Sequence, residues 1–392
     1  MSTNNMEFGI FLAPFHRAGE NPTAALRRDL DLISYLDGLG YDEVWVGEHH
    51  SGGWELIGSP EMFLAAAGER TQRIRLGTGV VSLPYHQPFM VADRIVLLDH
   101  LTRGRAMLGV GPGALPGDAR FLGIEPTTQR ERMDEALGVI LRLLRGEVVD
   151  YQCDWFELHE ARLQLRSVQR PMMPVAVAST VTPTGMVAAG KHGTGVLSVA
   201  SYTEAGIAAA KTLWAFCERS AAEAGQPAPD RSTWRLVVPF HLAATREEAI
   251  TDIEVGVHRW YNEYLIHTLG ASQLPPMESG RALAEGMNAF GGAIIGTPDE
   301  AIVAIKKLQQ ITGGFGCLLG LAHEWTTREK IEHSYELMAR YVMPEFQGSI
   351  ASTRGSLEWT LANKQSLMAG RDAALAKAIQ QHGAPMPADG AG

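Results

Sequence analysis

The sequence predicts an α/β protein built on a single (β/α)₈ barrel, and three observations carry that expectation. Short apolar runs alternate with helical stretches along the chain, a rhythm that points to βαβ units and a parallel sheet. The chain has 392 residues, a length that one α/β barrel accommodates. Apolar residues make up 45% and charged residues 20%, so a large core can be buried.

Taken in order, the first run covers residues 8–12 and stops at Pro14, as a buried strand does. Asn21-Pro22-Thr23 then opens a helix with apolar positions at Ala25, Leu30, Leu32, Ile33 and Leu36, closed by Gly38 and Gly40. A second strand at 43–46 runs into Gly47-Glu48-His49-His50. Ser59-Pro60 starts a helix through Ala65-Ala66-Ala67, and a third strand follows at 74–81. A helix from Pro88 to Leu101 leads through Gly104 to a fourth strand at 106–110. The remaining strands are expected at 175–178, 194–199, 236–240 and 316–321.

Two stretches depart from the rhythm. Residues 111–125, rich in Gly and Pro, read as a long loop, and 265–295, with Pro275-Pro276, as an insertion before the last βα unit. Long segments of this kind in a compact barrel serve as lids or binding loops. Residues 1–347 therefore read as one barrel domain, and 348–392 as a peripheral helix with a frayed tail available for subunit contacts.

Lysine and arginine total 34 against 44 acidic residues, a net charge of −10 that argues against a nucleic-acid partner. Cys153, Cys217 and Cys317 lie far apart, which argues against a disulfide scaffold or a cysteine metal site and fits a reducing compartment. The polar start, Met1-Ser2-Thr3-Asn4-Asn5, lacks the pattern of a signal peptide, and no membrane-spanning run is evident. The expected address is the cytoplasm.

Reactive groups in a barrel sit where strands end, which draws attention to Glu48, His49 and His50. A histidine there is suited to acid–base work near neutrality; a structural hydrogen bond or a metal site are the competing readings, and adjacent histidines on extended backbone point apart, which disfavours a shared metal. Gly77-Thr78-Gly79-Val80-Val81 permits close approach of a flat ligand, or is a kinked barrel strand. Gly109-Val110-Gly111-Pro112-Gly113 is not a dinucleotide fingerprint and reads as a flexible loop. Ser179-Thr180-Val181-Thr182-Pro183-Thr184 precedes a helix expected near Pro183, and its hydroxyls with free helix N–H groups suit one phosphate monoester. Trp45, Trp54 and Trp325 are pocket or core candidates. His86, His241, His258 and His267 read as structural or surface residues, with His323, after the last strand, the exception to watch.

Together these stretches resemble the bacterial luciferase family of FMN-dependent monooxygenases, most of all its limonene monooxygenase-type members. The similarity runs over roughly residues 6–347, through Tyr41–Trp45 with Glu48-His49-His50, 74–84, Leu97-Leu98-Asp99 with Gly104-Arg105, 174–184, Gly296-Thr297-Pro298-Asp299-Glu300 and 314–344. The resemblance implies reduced FMN (FMNH₂) bound at the C-terminal ends of the strands and delivered by a separate flavin reductase. It implies insertion of one oxygen atom of O₂ into a small apolar organic substrate through a flavin C4a-(hydro)peroxide, and a homodimer. His49 matches the family's catalytic histidine, with Glu48 and His50 beside it. Gly79 and Val80 match a non-prolyl cis peptide against the flavin ring. Ser179, Thr180, Thr182 and Thr184 match the phosphate turn, and Leu197 and Ser198 match residues near the flavin. Three departures stand out: Gly111-Pro112 replaces a cysteine–arginine pair, Thr180 a glutamate, and Gln87 a histidine. The rival expectations are an F420-dependent oxidoreductase of the same superfamily and a non-catalytic flavin-binding partner subunit.

Overall fold

Eight parallel strands close on themselves: β1 (Glu7–Leu12), β2 (Glu43–Val46), β3 (Arg75–Thr78), β4 (Ala106–Gly111), β5 (Val175–Ser179), β6 (Gly195–Ser198), β7 (Trp234–Val237) and β8 (Cys317–Leu321). The ladder runs β3-β2-β1-β8-β7-β6-β5-β4, and Leu76 opposite Ala106 joins β3 to β4, completing the (β/α)₈ barrel. The computed structural model describes residues 6–13, 15–201, 203–270 and 276–383. The polar start, the Pro14 stop, Pro275 of the expected insertion and residues 384–392 of the tail lie outside the described residues. Two compact units make up the chain, Met1–Gln347 and Gly348–Gly392. The second holds two helices, Ala351–Ala362 and Lys364–His382, where one was expected, and neither buries a residue. No helix among the described residues is long and apolar enough to cross a membrane.

The strands are apolar on both faces because both are covered. Val44, Val46, Leu108, Val110, Val175 and Val177 turn outward to the helices, while Phe11, Trp45, Met107, Ala176, Leu197, Val237 and Leu319 fill the barrel. Trp45 occupies its centre. A Cβ on Gly77 would lie 2.6 Å from the Trp45 ring, and one on Gly109 2.1 Å from the Thr78 carbonyl oxygen and 2.9 Å from the ring, so these glycines make room for the indole and the neighbouring strand. At the strand N-termini, buried Glu43 accepts from Arg235 Nε at 2.7 Å and Nη2 at 2.8 Å, from Arg75 Nη2 at 2.6 Å, and from Trp45 Nε1 at 2.7 Å.

Helix starts follow their side chains. Asn21 caps Pro22–Leu39, and Thr297 with Glu300 forms a reciprocal capping box on Pro298–Thr312. Gln87 caps Pro88–Leu101 by accepting the Met90 N–H, a local role for the residue that departs from the family pattern.

Four expectations need correction. The third strand is not continuous over 74–81: the ladder breaks at a cis Gly79–Val80 peptide and resumes as Val81–Ser82. The seventh strand does not reach 240, because Pro239 cannot donate to the ladder, and Phe240–Leu242 pairs instead with Ile294–Gly296. The insertion is consequently wider than 265–295, and its described residues form helices Arg246–Arg259 and Gly280–Phe290 and a π-helical stretch Trp260–Thr268. Residues 111–125 are not one loop; Leu115 precedes a short helix, Pro116–Phe121, opened by proline at its first position.

Candidate active site

β2 ends at Val46, and the residues that follow carry the ionisable side chains Glu48, His49, His50 and Glu55. Buried Glu48 is fully occupied: its Oε2 accepts the Ser82 N–H at 2.8 Å, and its Oε1 accepts from His50 Nε2 at 2.8 Å and His86 Nε2 at 2.7 Å. Burial pushes its pKa up, but the bonds from the two imidazoles outweigh burial and hold the carboxyl below its ordinary range. The same bond to Glu48 raises the pKa of the more exposed His50.

His49 turns the other way, as the alternation of extended backbone requires. Its Nδ1 lies 3.2 Å from Asp118 Oδ2 and its Nε2 lies 3.5 Å from Glu55 Oε2. Burial lowers the affinity of this ring for a proton, but the charge of Glu55 and the bond to Asp118 prevail, and its pKa is raised. Asp118 comes from the Pro116–Phe121 helix; its Oδ1 also accepts the His50 backbone N–H at 3.1 Å and the Ser51 hydroxyl at 2.5 Å. Burial raises its pKa, yet the bonds from His49 and Ser51 bring it below the usual carboxylate value. Glu55 is buried, and its Oε1 accepts the hydroxyl of Tyr264 from the insertion.

An aromatic wall stands beside this cluster. Tyr264 packs edge-on to Phe15 at 4.8 Å and lies 5.7 Å from Trp54, while Phe15 meets Trp260 and Trp260 meets Trp325 at 5.2 Å. Of the tryptophans considered as pocket or core, Trp45 is barrel core and Trp54 and Trp325 belong to this wall. His323 is buried with both ring nitrogens on backbone: Nε2 faces the Phe240 carbonyl at 3.0 Å, and Nδ1 accepts the Trp325 N–H at 3.3 Å. Burial, with neighbouring His241, takes its pKa down to about 3, so it is a neutral structural ring near pH 7.

The other expected residues fall on the same face. Gly79 is buried and Val80 half-buried, and the peptide joining them is cis. At the end of β5, Ser179 is buried and its Oγ has no hydrogen-bond partner, which is costly unless a ligand supplies one. Thr180, Thr182 and Thr184 are exposed on the turn beyond it. The helix Thr184–His192 begins there, with its first N–H groups lacking intrahelical partners. Leu197 belongs to the barrel interior, and the Ser198 hydroxyl accepts the Trp234 indole N–H at 2.9 Å, so both are built into the wall.

Sequence reading missed Asp118, Glu55 and Tyr264, while His86, read as structural or surface, is the half-buried ring bound to Glu48. Asp118 had the only usable signal, a proline three residues after Gly113 followed closely by a carboxylate; Glu55 and Tyr264 reach the site through tertiary folding alone.

The description "luciferase-like monooxygenase" matches residues 6–313 of the chain. Limonene 1,2-monooxygenase of Rhodococcus erythropolis is 46% identical over 361 residues, covering 92% of this chain and 92% of that protein. 4-Hydroxyprotoasukamycin monooxygenase of Streptomyces nodosus subsp. asukaensis is 48% identical, covering 90% of this chain and 96% of that protein. Among solved structures, the oxygenating constituent of 3,6-diketocamphane monooxygenase from Pseudomonas putida, a type II Baeyer–Villiger monooxygenase in complex with FMN, superposes with a TM-score of 0.75 at 25% identity, covering 87% of this chain and 99% of that one. With its barrel, its strand-end histidine cluster and these relatives, the chain belongs to the luciferase-like monooxygenases and is a flavin-dependent enzyme of that family.

Proposed function

We propose that the chain is the oxygenase of a two-component system, which takes reduced FMN from a separate flavin reductase and inserts one atom of O₂ into a small apolar organic substrate. The observation that carries this reading is the unpartnered buried hydroxyl of Ser179 at a helix N-terminus, on the barrel face that also holds His49. A phosphate monoester fits that seat: Ser179 Oγ and the first N–H groups of Thr184–His192 would hold it, with the exposed Thr180, Thr182 and Thr184 at its rim. Gly79 and Val80 would meet the flat ring. Reduced flavin, when bound, supplies the electrons that activate O₂.

The chain's own residues do the rest. His49 is anchored through Nδ1 on Asp118, which leaves Nε2 as the atom that gives or takes a proton during oxygen transfer. Glu48 locks His50 and His86 and so stiffens the segment that carries His49. Phe15, Trp54, Trp260 and Trp325 suit an apolar substrate and exclude water. The insertion is a lid in this reading. A homodimer and a cytoplasmic address complete it, the latter supported by three unpaired cysteines.

The test is an anaerobic titration with FMNH₂ followed by mixing with ¹⁸O₂ and an apolar cyclic alkene or ketone. The expected outcome is tight binding and a product carrying one ¹⁸O atom, with turnover reduced roughly 10²- to 10⁴-fold in His49→Ala. Hydride transfer from reduced F420 without oxygen uptake would overturn the reading, as would turnover that appears only on addition of a homologous partner chain.

A further inference from the structure

His49 is connected through Glu55 to Tyr264 of the insertion. Glu55 divides its carboxylate between two partners. Its Oε1 accepts the Tyr264 hydroxyl, while its Oε2 lies 3.5 Å from His49 Nε2, too far for a good hydrogen bond but close enough for charge to be felt. Nδ1 is committed to Asp118, so Nε2 is the ring atom open to reacting groups, and Glu55 is the anion beside it. Tyr264 belongs to the insertion between β7 and β8 and stands in the π-helical stretch Trp260–Thr268, a distortion that recurs at functional sites. The hydroxyl that donates to Oε1 ties the carboxylate to the insertion and holds Oε2 back from Nε2.

We propose that Tyr264 and Glu55 are positioning residues through which the insertion sets the proton on His49 Nε2. With Tyr264 engaged, Glu55 favours the imidazolium only from a distance and leaves Nε2 open. With Tyr264 withdrawn, Glu55 closes on Nε2, raises its proton affinity and occupies the atom the reaction needs. The consequence for catalysis rests on the reading of His49 given above; the coupling itself does not. The groups facing the ring are Glu55, with Tyr264 behind it, and Asp118, which also holds Ser51; Glu48 acts from farther off with His50 and His86 bound to it.

The experiment is an NMR titration of ¹⁵N-histidine-labelled full-length protein, without flavin or substrate, in wild type, Tyr264→Phe, Glu55→Gln and the double variant. Tyr264→Phe retains the ring that packs on Phe15 and Trp54, and it is expected to raise the His49 pKa by about half a unit. Glu55→Gln is expected to lower it by roughly one unit, and the double variant to match Glu55→Gln. The pH–rate profile should move in the same directions. An unchanged His49 pKa in Tyr264→Phe overturns the proposal, as does a Tyr264→Phe shift that persists in the Glu55→Gln background. Should Tyr264→Phe not fold, an unchanged pKa in Glu55→Gln overturns it alone. The readout needs no cofactor, so the proposed oxygenation can fail while the shifts appear, and the reverse.

Discussion

The two ends of the barrel use the same acids with different cations. At the floor, Glu43 is bound by Arg235 and Arg75, and although burial works against the charge, the two guanidiniums draw its pKa down to about 2. At the mouth, Glu48, Glu55 and Asp118 face histidines instead. An arginine stays charged at any pH the protein meets, whereas a histidine titrates near neutrality. The floor is therefore a permanent tie and the mouth an adjustable one. A cleft of about 950 Å³ opens below the floor, lined by Glu7, Arg75, Arg231 and Arg235, but those arginine groups already have protein partners.

The largest expected effect tests the floor. Glu43→Gln leaves the Arg235 charge buried without its counterion and should cost about 3–5 kcal/mol of stability by chemical denaturation; a loss below about 1 kcal/mol would remove the distinction between a structural end and a chemical end.

A smaller effect tests the mouth. Ser179→Ala removes a hydroxyl that has no protein partner, so the flavin-free protein should keep its stability. Its affinity for FMN, read by fluorescence titration, should fall roughly 10- to 100-fold, as expected for one hydrogen bond to a charged group. Unchanged affinity would move the phosphate seat elsewhere.

The finest comparison is with pH. Glu43 has a depressed pKa in the folded chain, so its contribution is present above about 4.5 and is lost as pH falls through about 2. His49 and His50 have raised values, so their contribution is full below the unfolded value near 6.5 and is lost as pH rises through the folded ones. Melting temperatures of wild type and His49→Ala should therefore separate on the acid side of neutrality and converge in alkali. A gap that is constant with pH would mean that His49 stabilises by packing alone.

Much of this frame was legible before folding. Strand runs such as 44–46 and 106–110 are apolar on both faces because both are buried, and Glu48-His49-His50 is conspicuous because it follows one of them directly. The partners of His49 were hidden for the opposite reason. Glu55 follows Ser51-Gly52-Gly53 and Asp118 sits in a Gly- and Pro-rich stretch, where no periodicity marks which side chain turns inward. Tyr264 is more than two hundred residues from Glu55 along the chain. Among the four hydroxyls of the 179–184 turn, type and spacing do not distinguish them; only burial singles out Ser179. The insertion was underestimated because Phe240–Leu242 and Ile294–Gly296, each three residues long, form a strand pair only together.

The indole at the centre of the barrel has a consequence for how such a protein diversifies. Trp45 hangs from Glu43 by its Nε1–H and is wedged against Gly77 and Gly109, so it works as a bulkhead between the two compartments. Loops above the bulkhead can be lengthened, exchanged or re-lettered for a new substrate without loosening the ion pairs below it. Tolerance to change in one compartment is secured by intolerance in the other, and Gly77 and Gly109, where a Cβ would collide with the indole, are among the positions where variation is least affordable.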